Sequence, residues 1–244
     1  MMRVTSVLGV VALLTLLPLS AGASWMQINL DIQGDGTSTF YQDSVQHPHG
    51  PDAYGQWNVM NVPALKSPTA TTVSDPSVSL NDNAGNATPV VFQLFGDIAG
   101  WTGGTDDNVD PYTLVRDYFL LHSNFGLEPT ADFEISGLDP GGQYELTYIH
   151  GVTNPNRGVF CMADLDGDGS LDGETALEII GVDGQNEATV QFTASAAGKL
   201  VGLFDKGTHP EGDFAGLRLT AVPEPNVIVL ILGSFVALCI RRRR

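Results

Sequence analysis

The amino-acid sequence predicts an all-β fold, an antiparallel β-sandwich of jelly-roll type. Segments in which apolar and polar residues alternate recur about ten times at short spacing, as the strands of such sandwiches do. The 28 glycines and 14 prolines are interleaved with apolar residues and show no period, which is typical of a turn-rich β protein. Helical patterns are nearly absent, so a parallel sheet would lack its crossover helices.

The predicted strands follow one another through residues 24–221, which form the predicted ectodomain. The clearest signal lies in residues 133–149, where two alternating segments flank the turn Asp139-Pro140-Gly141-Gly142. Residues 112–121 fit either a short helix or a turn followed by an extended segment. The other predicted strands are Met26–Ile32, Gln56–Val62, Ser77–Leu80, Pro89–Phe95, Gly158–Ala163, Ala176–Val182, Ala188–Ala194, Leu200–Phe204 and Phe214–Val222.

Residues 1–23 have the organisation of a secretory signal peptide. Arg3 supplies a positive charge, residues 7–19 are apolar, and Ala21 and Ala23 provide the small residues of a cleavage site. The apolar run is short and ends in small residues, which disfavours an uncleaved membrane anchor. We expect cleavage after Ala23 and export of the remaining chain.

Residues 222–244 have the organisation of a short membrane segment with a cationic end. As a helix, the apolar run would be roughly 22 Å long, less than a hydrocarbon core of about 30 Å. The positive-inside rule keeps the arginines cytoplasmic and the ectodomain outside. The sequence therefore predicts a transmembrane sorting helix that is held in the membrane briefly and then removed. Its parts are the motif Val222-Pro223-Glu224-Pro225, the apolar run 227–240, and Arg241, Arg242, Arg243 and Arg244.

The charge, the cysteines and the motifs exclude several classes of protein. The net charge is -17, and five of the 11 basic residues lie in the two terminal segments. A domain this acidic repels phosphate backbones, so we expect no nucleic-acid partner. Cys161 and Cys239 lie in segments predicted to occupy different phases, which excludes a disulfide between them. Recognisable catalytic motifs are absent and no carboxylate pair can be singled out, so we expect a non-enzymatic protein.

An acidic loop, residues 164–174, carries the one specific site pattern. Calcium takes about six to eight hard oxygens, and EF-hand loops supply them from positions 1, 3, 5, 7 and 9 around a glycine at position 6. Thr175 stands where an EF-hand has its last glutamate, and Glu174 comes one residue early. The loop looks more like the isolated calcium loops of dockerin-type and other extracellular modules; the alternative is an acidic turn without an ion. The predicted ligands are Asp164, Asp166, Asp168, Ser170 through its carbonyl, and Asp172.

Two tryptophans are candidates for stacking against a sugar ring. Trp57 lies in a predicted strand, and Trp101 lies at the start of a polar segment. An aromatic face matches the C–H face of a pyranose, but a tryptophan in a sandwich also serves as a core anchor. The sequence leaves both roles open.

Several segments occur in an order that resembles a known family. They are Trp57-Asn58, Asp117-Tyr118-Phe119, residues 135–138, Tyr144-Glu145-Leu146, and residues 216–219 running into residues 222–225. The order resembles the galactose-binding-like β-sandwich ectodomains of exported bacterial PEP-CTERM proteins, and the C-terminus is similar to their sorting signal. The resemblance implies recognition by an exosortase-type processing enzyme and cleavage near Pro223-Glu224-Pro225. It also implies an inner-membrane-anchored intermediate, then delivery to the surface or extracellular matrix of a Gram-negative bacterium.

Two functions remain open for the ectodomain. One is that of a surface or matrix protein that binds extracellular polysaccharide. The other is that of a structural or interaction domain without a glycan ligand, stabilised by calcium. A polysaccharide-active hydrolase is the third and least favoured alternative.

Overall fold

The computed structural model describes residues 26–33, 57–63, 65–66, 69–70, 72–102, 117–123, 127–151, 156–180 and 187–222. All of them belong to one compact unit, Met26–Val222. The predicted signal peptide and the predicted sorting segment from Pro223 onward lie outside the described residues. In the described ranges, no helix has the length and apolar character that crossing a membrane requires.

All of the regular elements in the described residues are strands. We number them in chain order. They are β1 (Gln27–Gln33), β2 (Asn58–Asn61), β3 (Leu65–Lys66), β4 (Thr69–Ala70), β5 (Val73–Ser74), β6 (Ser77–Asn81), β7 (Ala87–Phe95), β8 (Asp97–Ile98), β9 (Gly100–Thr102), β10 (Asp117–Leu121), β11 (Thr130–Ser136), β12 (Gln143–Ile149), β13 (Gly158–Ala163), β14 (Leu177–Ile180), β15 (Glu187–Thr193), β16 (Lys199–Asp205), β17 (Gly212–Phe214) and β18 (Gly216–Ala221).

Two large sheets form a β-sandwich. The six-stranded sheet has the order β14-β13-β16-β11-β7-β6, and the five-stranded sheet has the order β15-β12-β18-β1-β2. A smaller sheet, β17-β10-β9, and the pairs β3-β4 and β5-β8 complete the described strands. The predicted all-β class is confirmed, and the arrangement is that of a sandwich.

Alternating burial explains why these segments form strands. In β16, the residues from Leu200 to Phe204 alternate between buried and half-exposed, and β11 and β7 alternate in a similar way. Such a strand packs one face against the opposite sheet and turns the other outward. The six-stranded sheet therefore has one face in the core and one outer face.

The prediction of a purely antiparallel sandwich is wrong for one pair of strands. β1 and β2 are parallel, with Leu30 opposite Asn58. Residues 34–57 connect them, and parallel pairing requires a connection of about a dozen residues or more. The connection is therefore long enough to bring the chain back in the same direction.

Residues 117–121 form a strand, β10, so a helix over these residues is wrong and the extended alternative is confirmed. Phe119 and Leu121 belong to the main core, whereas Tyr118 and Leu120 belong to a second hydrophobic cluster. Because both faces are buried, polar and apolar residues do not alternate. Such an apolar run cannot be told from a buried helix by its pattern alone.

Two predicted segments are divided between sheets. The strands on either side of the Asp139 turn are confirmed, but β11 pairs with β7 and β16, whereas β12 pairs with β15 and β18. Likewise, the segment predicted as one strand from Phe214 to Val222 breaks at Ala215 into β17 and β18, which lie in different sheets. Both connections cross from one sheet to another.

Aromatic rings fill the centre of the sandwich. The rings of Phe133 and Phe204 lie 4.6 Å apart, those of Phe204 and Phe214 lie 4.2 Å apart, and Tyr148 meets Phe204 edge-on at 6.0 Å. A Cβ at Gly202 would overlap the Phe133 ring and lie 2.7 Å from the carbonyl of Met162. Glycine at position 202 therefore leaves space for the Phe133 ring in the core between the two sheets.

Candidate functional site

The acidic loop, residues 164–174, lies between β13 and β14 and is shaped by Asp164. The Asp164 side chain is buried, and its Oδ1 accepts hydrogen bonds from the amides of Gly167 and Asp168 at 2.8 and 3.2 Å. Its Oδ2 accepts another from the amide of Gly169 at 2.8 Å. Gly167 and Gly169 have φ angles of 80° and 88°, which glycine adopts without strain. The glycine at position 6 of the predicted calcium loop thus has the conformation of a sharp turn.

Three of the predicted calcium ligands come together in this loop. One carboxylate oxygen from each of Asp164, Asp166 and Asp168 lies within 4.8 Å of the others. Within the described ranges, no other group of three His, Cys, Asp or Glu side chains converges in this way. Asp166 and Asp168 are exposed, so a cation can reach them from solvent. Negatively charged oxygens that converge in this way match the preference of calcium.

The other two predicted ligands, Ser170 and Asp172, are placed differently. The Ser170 hydroxyl accepts a hydrogen bond from the amide of Asp172 at 3.0 Å, and Asp172 does not join the converging carboxylates. The carbonyl of Ser170 stays a predicted ligand. Glu174, although one residue early for an EF-hand, reaches back, and its Oε1 accepts the amide of Leu165 at 3.0 Å. It thereby brings a further carboxylate to the start of the loop.

The acidic loop also contacts both large sheets. The amide of Asp164 donates to the carbonyl of Val201 in β16 at 3.0 Å, and the carbonyl of Leu165 accepts the amide of Thr193 in β15 at 2.9 Å. β16 belongs to the six-stranded sheet and β15 to the five-stranded sheet. The conformation of the loop is therefore coupled to the packing of one sheet on the other.

A second candidate site is an open pocket of about 290 Å³ on the outer face of the six-stranded sheet. We call it the Phe160 pocket. Its floor comes from outward residues of the neighbouring strands β13 and β16, and its wall comes from the turn after β16. The pocket is lined by Phe160, Met162, Ala176, Leu203, Asp205, Gly207 and Thr208.

Polar groups surround the Phe160 ring. The ring centroid lies 6.0 Å from that of His209, whose Nε2 lies 2.8 Å from a carboxylate oxygen of Glu178. Asp205 accepts the amide of Gly207 at 2.7 Å, and a Cβ at Gly207 would overlap the Phe160 ring. The chain therefore passes close over one part of the ring, and carboxylates flank it. The pocket offers apolar contact together with hydrogen-bond acceptors.

Phe160 was not among the residues singled out by sequence, although a signal for it was present. In the predicted strand Gly158–Ala163, Phe160 and Met162 lie on the face opposite to Val159 and Cys161. A strand with large apolar residues on both faces is either buried on both sides or has an apolar outer surface. Here Phe160 and Met162 are half-exposed, so the second case holds.

A network of charged residues lies near the start of β13, whereas the acidic loop follows its end. Arg157 forms an ion pair with Glu211, and its Nη1 lies 3.5 Å from Asp213 and donates to the hydroxyl of Tyr118 at 2.6 Å. His150 Nε2 lies 2.7 Å from Asp213, and both side chains are fully buried. Burial raises the pKa of Tyr118 to about 12, although the nearby Arg157 guanidinium acts in the opposite direction. Because both carboxylates contact cationic or imidazole partners, this network fixes the fold around β17.

Trp57, one of the two candidate stacking residues, does not line the Phe160 pocket. Trp57 is half-buried and packs against the second hydrophobic cluster, which includes Leu127 and Ile149. The side chain of Trp101 lies outside the described residues. Stacking by either one stays a prediction.

Cys161 is buried in the core, and burial raises its pKa well above the ordinary value. Its thiol therefore packs as a small apolar side chain.

Comparison with known proteins gives only distant structural likenesses. No family model matches the chain, and no curated protein matches it. The protein YXIM from Bacillus subtilis is 10% identical with a TM-score of 0.40, covering 81% of this chain and 40% of that chain. An exo-β-1,3-galactanase from Phanerochaete chrysosporium is 13% identical with a TM-score of 0.34, covering 62% and 30%. A family 35 carbohydrate-binding module from Clostridium thermocellum is 15% identical with a TM-score of 0.33, covering 52% and 90%.

This chain spans less than half the length of the first two of these structures. The low TM-scores mean that the likenesses establish neither a family nor a ligand. Any function must therefore be argued from the residues of the two candidate sites.

Proposed function

We propose that this protein is an exported, non-enzymatic surface or matrix protein whose β-sandwich binds an uncharged polysaccharide. The observation that supports this proposal is the Phe160 pocket. There, a half-exposed aromatic ring lies beside the carboxylates of Asp205 and Glu178 on the outer face of a sheet. The alternative is a structural or interaction domain without a glycan ligand, and the experiment below separates the two.

The chemistry of the pocket suits a sugar ring. A pyranose has an apolar C–H face and a rim of hydroxyl groups. Phe160, Met162 and Leu203 offer apolar surface to the first, and the carboxylates of Asp205 and Glu178 accept hydrogen bonds from the second. Ligand pockets are usually apolar with a few placed polar groups and begin at about 300 Å³. The volume and lining of this pocket therefore fit a single sugar unit of a chain.

The charge of the protein restricts which polysaccharides are suitable. The net charge is -17, and carboxylates flank the pocket. Such a surface repels anionic polymers over distances set by the Debye length, about 8 Å at physiological salt. This charge argues against anionic polysaccharides, and the proposed ligand class is neutral polysaccharide.

Calcium is the second part of the proposal. Three carboxylates that converge without a cation repel one another, whereas a calcium ion bound to Asp164, Asp166 and Asp168 would remove that repulsion. Hydrogen bonds from backbone amides already hold Asp164 in place. Since the loop contacts both sheets, the role of the ion is structural, and it supports the proposed jelly-roll sandwich.

Export and sorting complete the proposal and rest on the sequence. The signal peptide, residues 1–23, directs export, and residues 222–244 anchor the intermediate in the inner membrane. An exosortase-type enzyme processes the chain near Pro223-Glu224-Pro225 and delivers residues 24–221 to the cell surface or matrix of a Gram-negative bacterium. Val222 is 37% exposed at the end of the described chain, which supports accessibility of the start of the motif.

The polysaccharide proposal is tested by affinity electrophoresis of the purified full-length protein. The gels contain dextran, galactomannan or mixed-linkage β-glucan, with alginate as an anionic polymer. We expect retardation by at least one neutral polymer and none by alginate. Phe160→Leu should abolish the retardation because it removes the ring, and Phe160→Tyr should preserve it because it keeps the ring.

Three outcomes contradict the proposal. Absence of retardation in every neutral polymer favours the structural alternative. Equal retardation of a folded Phe160→Leu variant and the wild type removes the pocket from consideration. Release of reducing sugar from any of the polymers indicates a hydrolase and contradicts the non-enzymatic assignment.

A further inference from the structure

Outward side chains continue from the Phe160 pocket across the six-stranded sheet in a single row. Strand pairing places Met162 of β13 opposite Leu203 of β16, Leu203 opposite Asp132 of β11, and Asp132 opposite Phe95 of β7. We call these four residues the outer-face row. Directly paired residues project to the same side of an antiparallel sheet, so all four side chains lie on the outer face.

The outer-face row ends at an unusually exposed aromatic side chain. Phe95 is 38% exposed, and only one other large apolar residue in the described chain, Val222, is exposed to a similar degree. Because Phe95 lies on the outer face, packing in the core does not explain the presence of a phenylalanine at this position. Since it lies in the same row as the floor of the pocket, the exposed ring is a second apolar surface in line with the pocket, on the far side of Asp132.

The neighbouring row supplies hydrogen-bonding groups beside the outer-face row. Glu134 lies opposite Val201 on one side and opposite Gln93 on the other. Lys199, which is 44% exposed, forms an ion pair with Glu134 at 3.0 Å. Together with Asp132 in the outer-face row, these side chains offer both acceptors and donors. The mainly apolar outer-face row and a row of hydrogen-bonding side chains thus run next to each other across the strands.

The length of the outer-face row decides what kind of ligand it fits. Neighbouring strands lie about 4.7–4.9 Å apart, so four strands span about 14 Å from Met162 to Phe95. This distance exceeds one sugar ring. A terminal sugar would need only the pocket, whereas an extended chain would reach from the pocket to Phe95.

We propose that the outer-face row and the adjoining Phe160 pocket form a platform for an internal stretch of a linear, uncharged polysaccharide, with Phe160 in the pocket beside Met162 and Phe95 at the far end of the row as stacking residues. This inference rests on the proposed function and names the form in which the ligand binds. Asp132 interrupts the row with a charge, which disfavours a lipid or an apolar helix. Asp132 and Glu134 repel anionic polymers but accept hydrogen bonds from sugar hydroxyls.

The inference is tested by calorimetric titration of the full-length protein with disaccharides and hexasaccharides of glucose, mannose and galactose. We expect the hexasaccharide of the preferred series to bind more tightly than its disaccharide. Phe95→Ala should lower the affinity for the hexasaccharide about tenfold, as expected for loss of one stacking contact, and leave the disaccharide unchanged. Phe95→Tyr should restore tight binding because it keeps a ring at this position.

Val222→Ala is the matched control, since it truncates the other exposed large apolar side chain, which follows a strand of the five-stranded sheet. It should leave both affinities unchanged. Equal hexasaccharide affinity of wild type and folded Phe95→Ala overturns the inference, as does equal affinity of disaccharide and hexasaccharide. If Phe160→Leu nevertheless loses the disaccharide, the proposed function survives and the platform alone fails. If no saccharide binds, both fail.

Discussion

The carboxylate of Glu174 accepts the backbone amide of Leu165 at 3.0 Å, which closes the acidic loop on itself. Leu165 in turn accepts the amide of Thr193 at the end of β15. The last carboxylate of the loop is thereby linked to the five-stranded sheet, while Asp164 is linked to the six-stranded sheet through Val201. A cation held by the loop would stabilise the contact between the two sheets.

Calcium should therefore raise the melting temperature of the full-length protein. With a dissociation constant of about 0.1–1 mM, as in extracellular modules, about 10 mM calcium stabilises the fold by about 1.4–2.7 kcal/mol. For a domain of this size, this corresponds to about 3–10 °C in melting temperature. Asp166→Ala should abolish the rise, because it removes one of the converging carboxylates. The measurement is thermal denaturation with calcium or with chelator.

Two variants sharpen this test. Asp172→Ala should keep the calcium-dependent rise, because Asp172 lies outside the converging group. Glu174→Gln should reduce it, because the substitution removes a charge while keeping an oxygen that can accept the Leu165 amide. Identical melting curves in calcium and in chelator would contradict the site. Loss of the effect in Asp172→Ala would instead support the ligand set predicted from the sequence.

The acidic loop shows how far local pattern predicts a site. The spacing of Asp164, Asp166 and Asp168 was sufficient to predict that their carboxylates converge, because a loop of this kind is shaped by its own carboxylates and glycines. The return of Glu174 to Leu165 was not predictable, because it depends on how the chain closes after the turn. Local contacts are encoded locally, and loop closure is not.

The Phe160 pocket shows the opposite case. Most strands could be predicted because each alternates by itself, but their assignment to sheets depends on contacts between distant segments. Phe95 and Met162 are 67 positions apart in the sequence and share a row only because β11 and β16 lie between their strands. The same limit explains why the two strands around the Asp139 turn, although correctly predicted, could not be placed in opposite sheets.

A buried hydroxyl in the core gives a second prediction. Tyr148 is 1% exposed, and its hydroxyl has no hydrogen-bond partner in the described part of the chain. Burying a hydroxyl without a partner costs about 1–3 kcal/mol. Tyr148→Phe should therefore leave the free energy of unfolding unchanged or raise it by about 1 kcal/mol. Denaturant titration measures the difference.

Tyr144 provides the matched control for Tyr148. Its hydroxyl accepts the amide of Asp139 at 2.9 Å. Tyr144→Phe should lower the free energy of unfolding by about 0.5–1.5 kcal/mol, because it removes a hydrogen bond and leaves that amide without its partner. A Tyr148→Phe variant that is destabilised as much as Tyr144→Phe would show that the Tyr148 hydroxyl has a partner in the folded protein.

Alkaline pH should destabilise the fold through Tyr118. Its pKa is raised to about 12 in the folded state, chiefly by burial, from an ordinary value of 10.0. Below pH 10 the hydroxyl is protonated in both states and its contribution to stability is fully present. Between about pH 10 and pH 12 only the unfolded state loses the proton, so this contribution falls by about 2–3 kcal/mol. Urea titrations between pH 8 and about pH 12 follow the loss.

Tyr118→Phe isolates this effect. The variant loses the hydrogen bond from Arg157 and should be less stable at neutral pH. Its stability should nevertheless fall less steeply above pH 10, because one ionising group has been removed. Tyr144, Tyr148 and Cys161, whose pKa values are also raised by burial, contribute to the remaining slope. Parallel pH profiles for the variant and the wild type would show that Tyr118 ionises normally in the folded protein.

The proposed sorting segment gives the last prediction, which concerns Glu224. The prolines of Pro223-Glu224-Pro225 disfavour a helical conformation of the residue before each of them, so the sequence predicts that the glutamate is presented on a stiff, extended segment just before the apolar run. Loss of one charge-assisted contact in a processing enzyme costs about 1.5–3 kcal/mol, which corresponds to about tenfold or more in affinity. Glu224→Ala should therefore accumulate as the unprocessed, membrane-associated form in the native host.

Immunoblots of membrane and released fractions measure the ratio of unprocessed to processed protein. As a control, Glu128→Ala, at an exposed glutamate of the sandwich, should be processed like the wild type. Normal processing and release of Glu224→Ala would contradict a sorting role for the motif and leave the C-terminal segment as an ordinary membrane anchor.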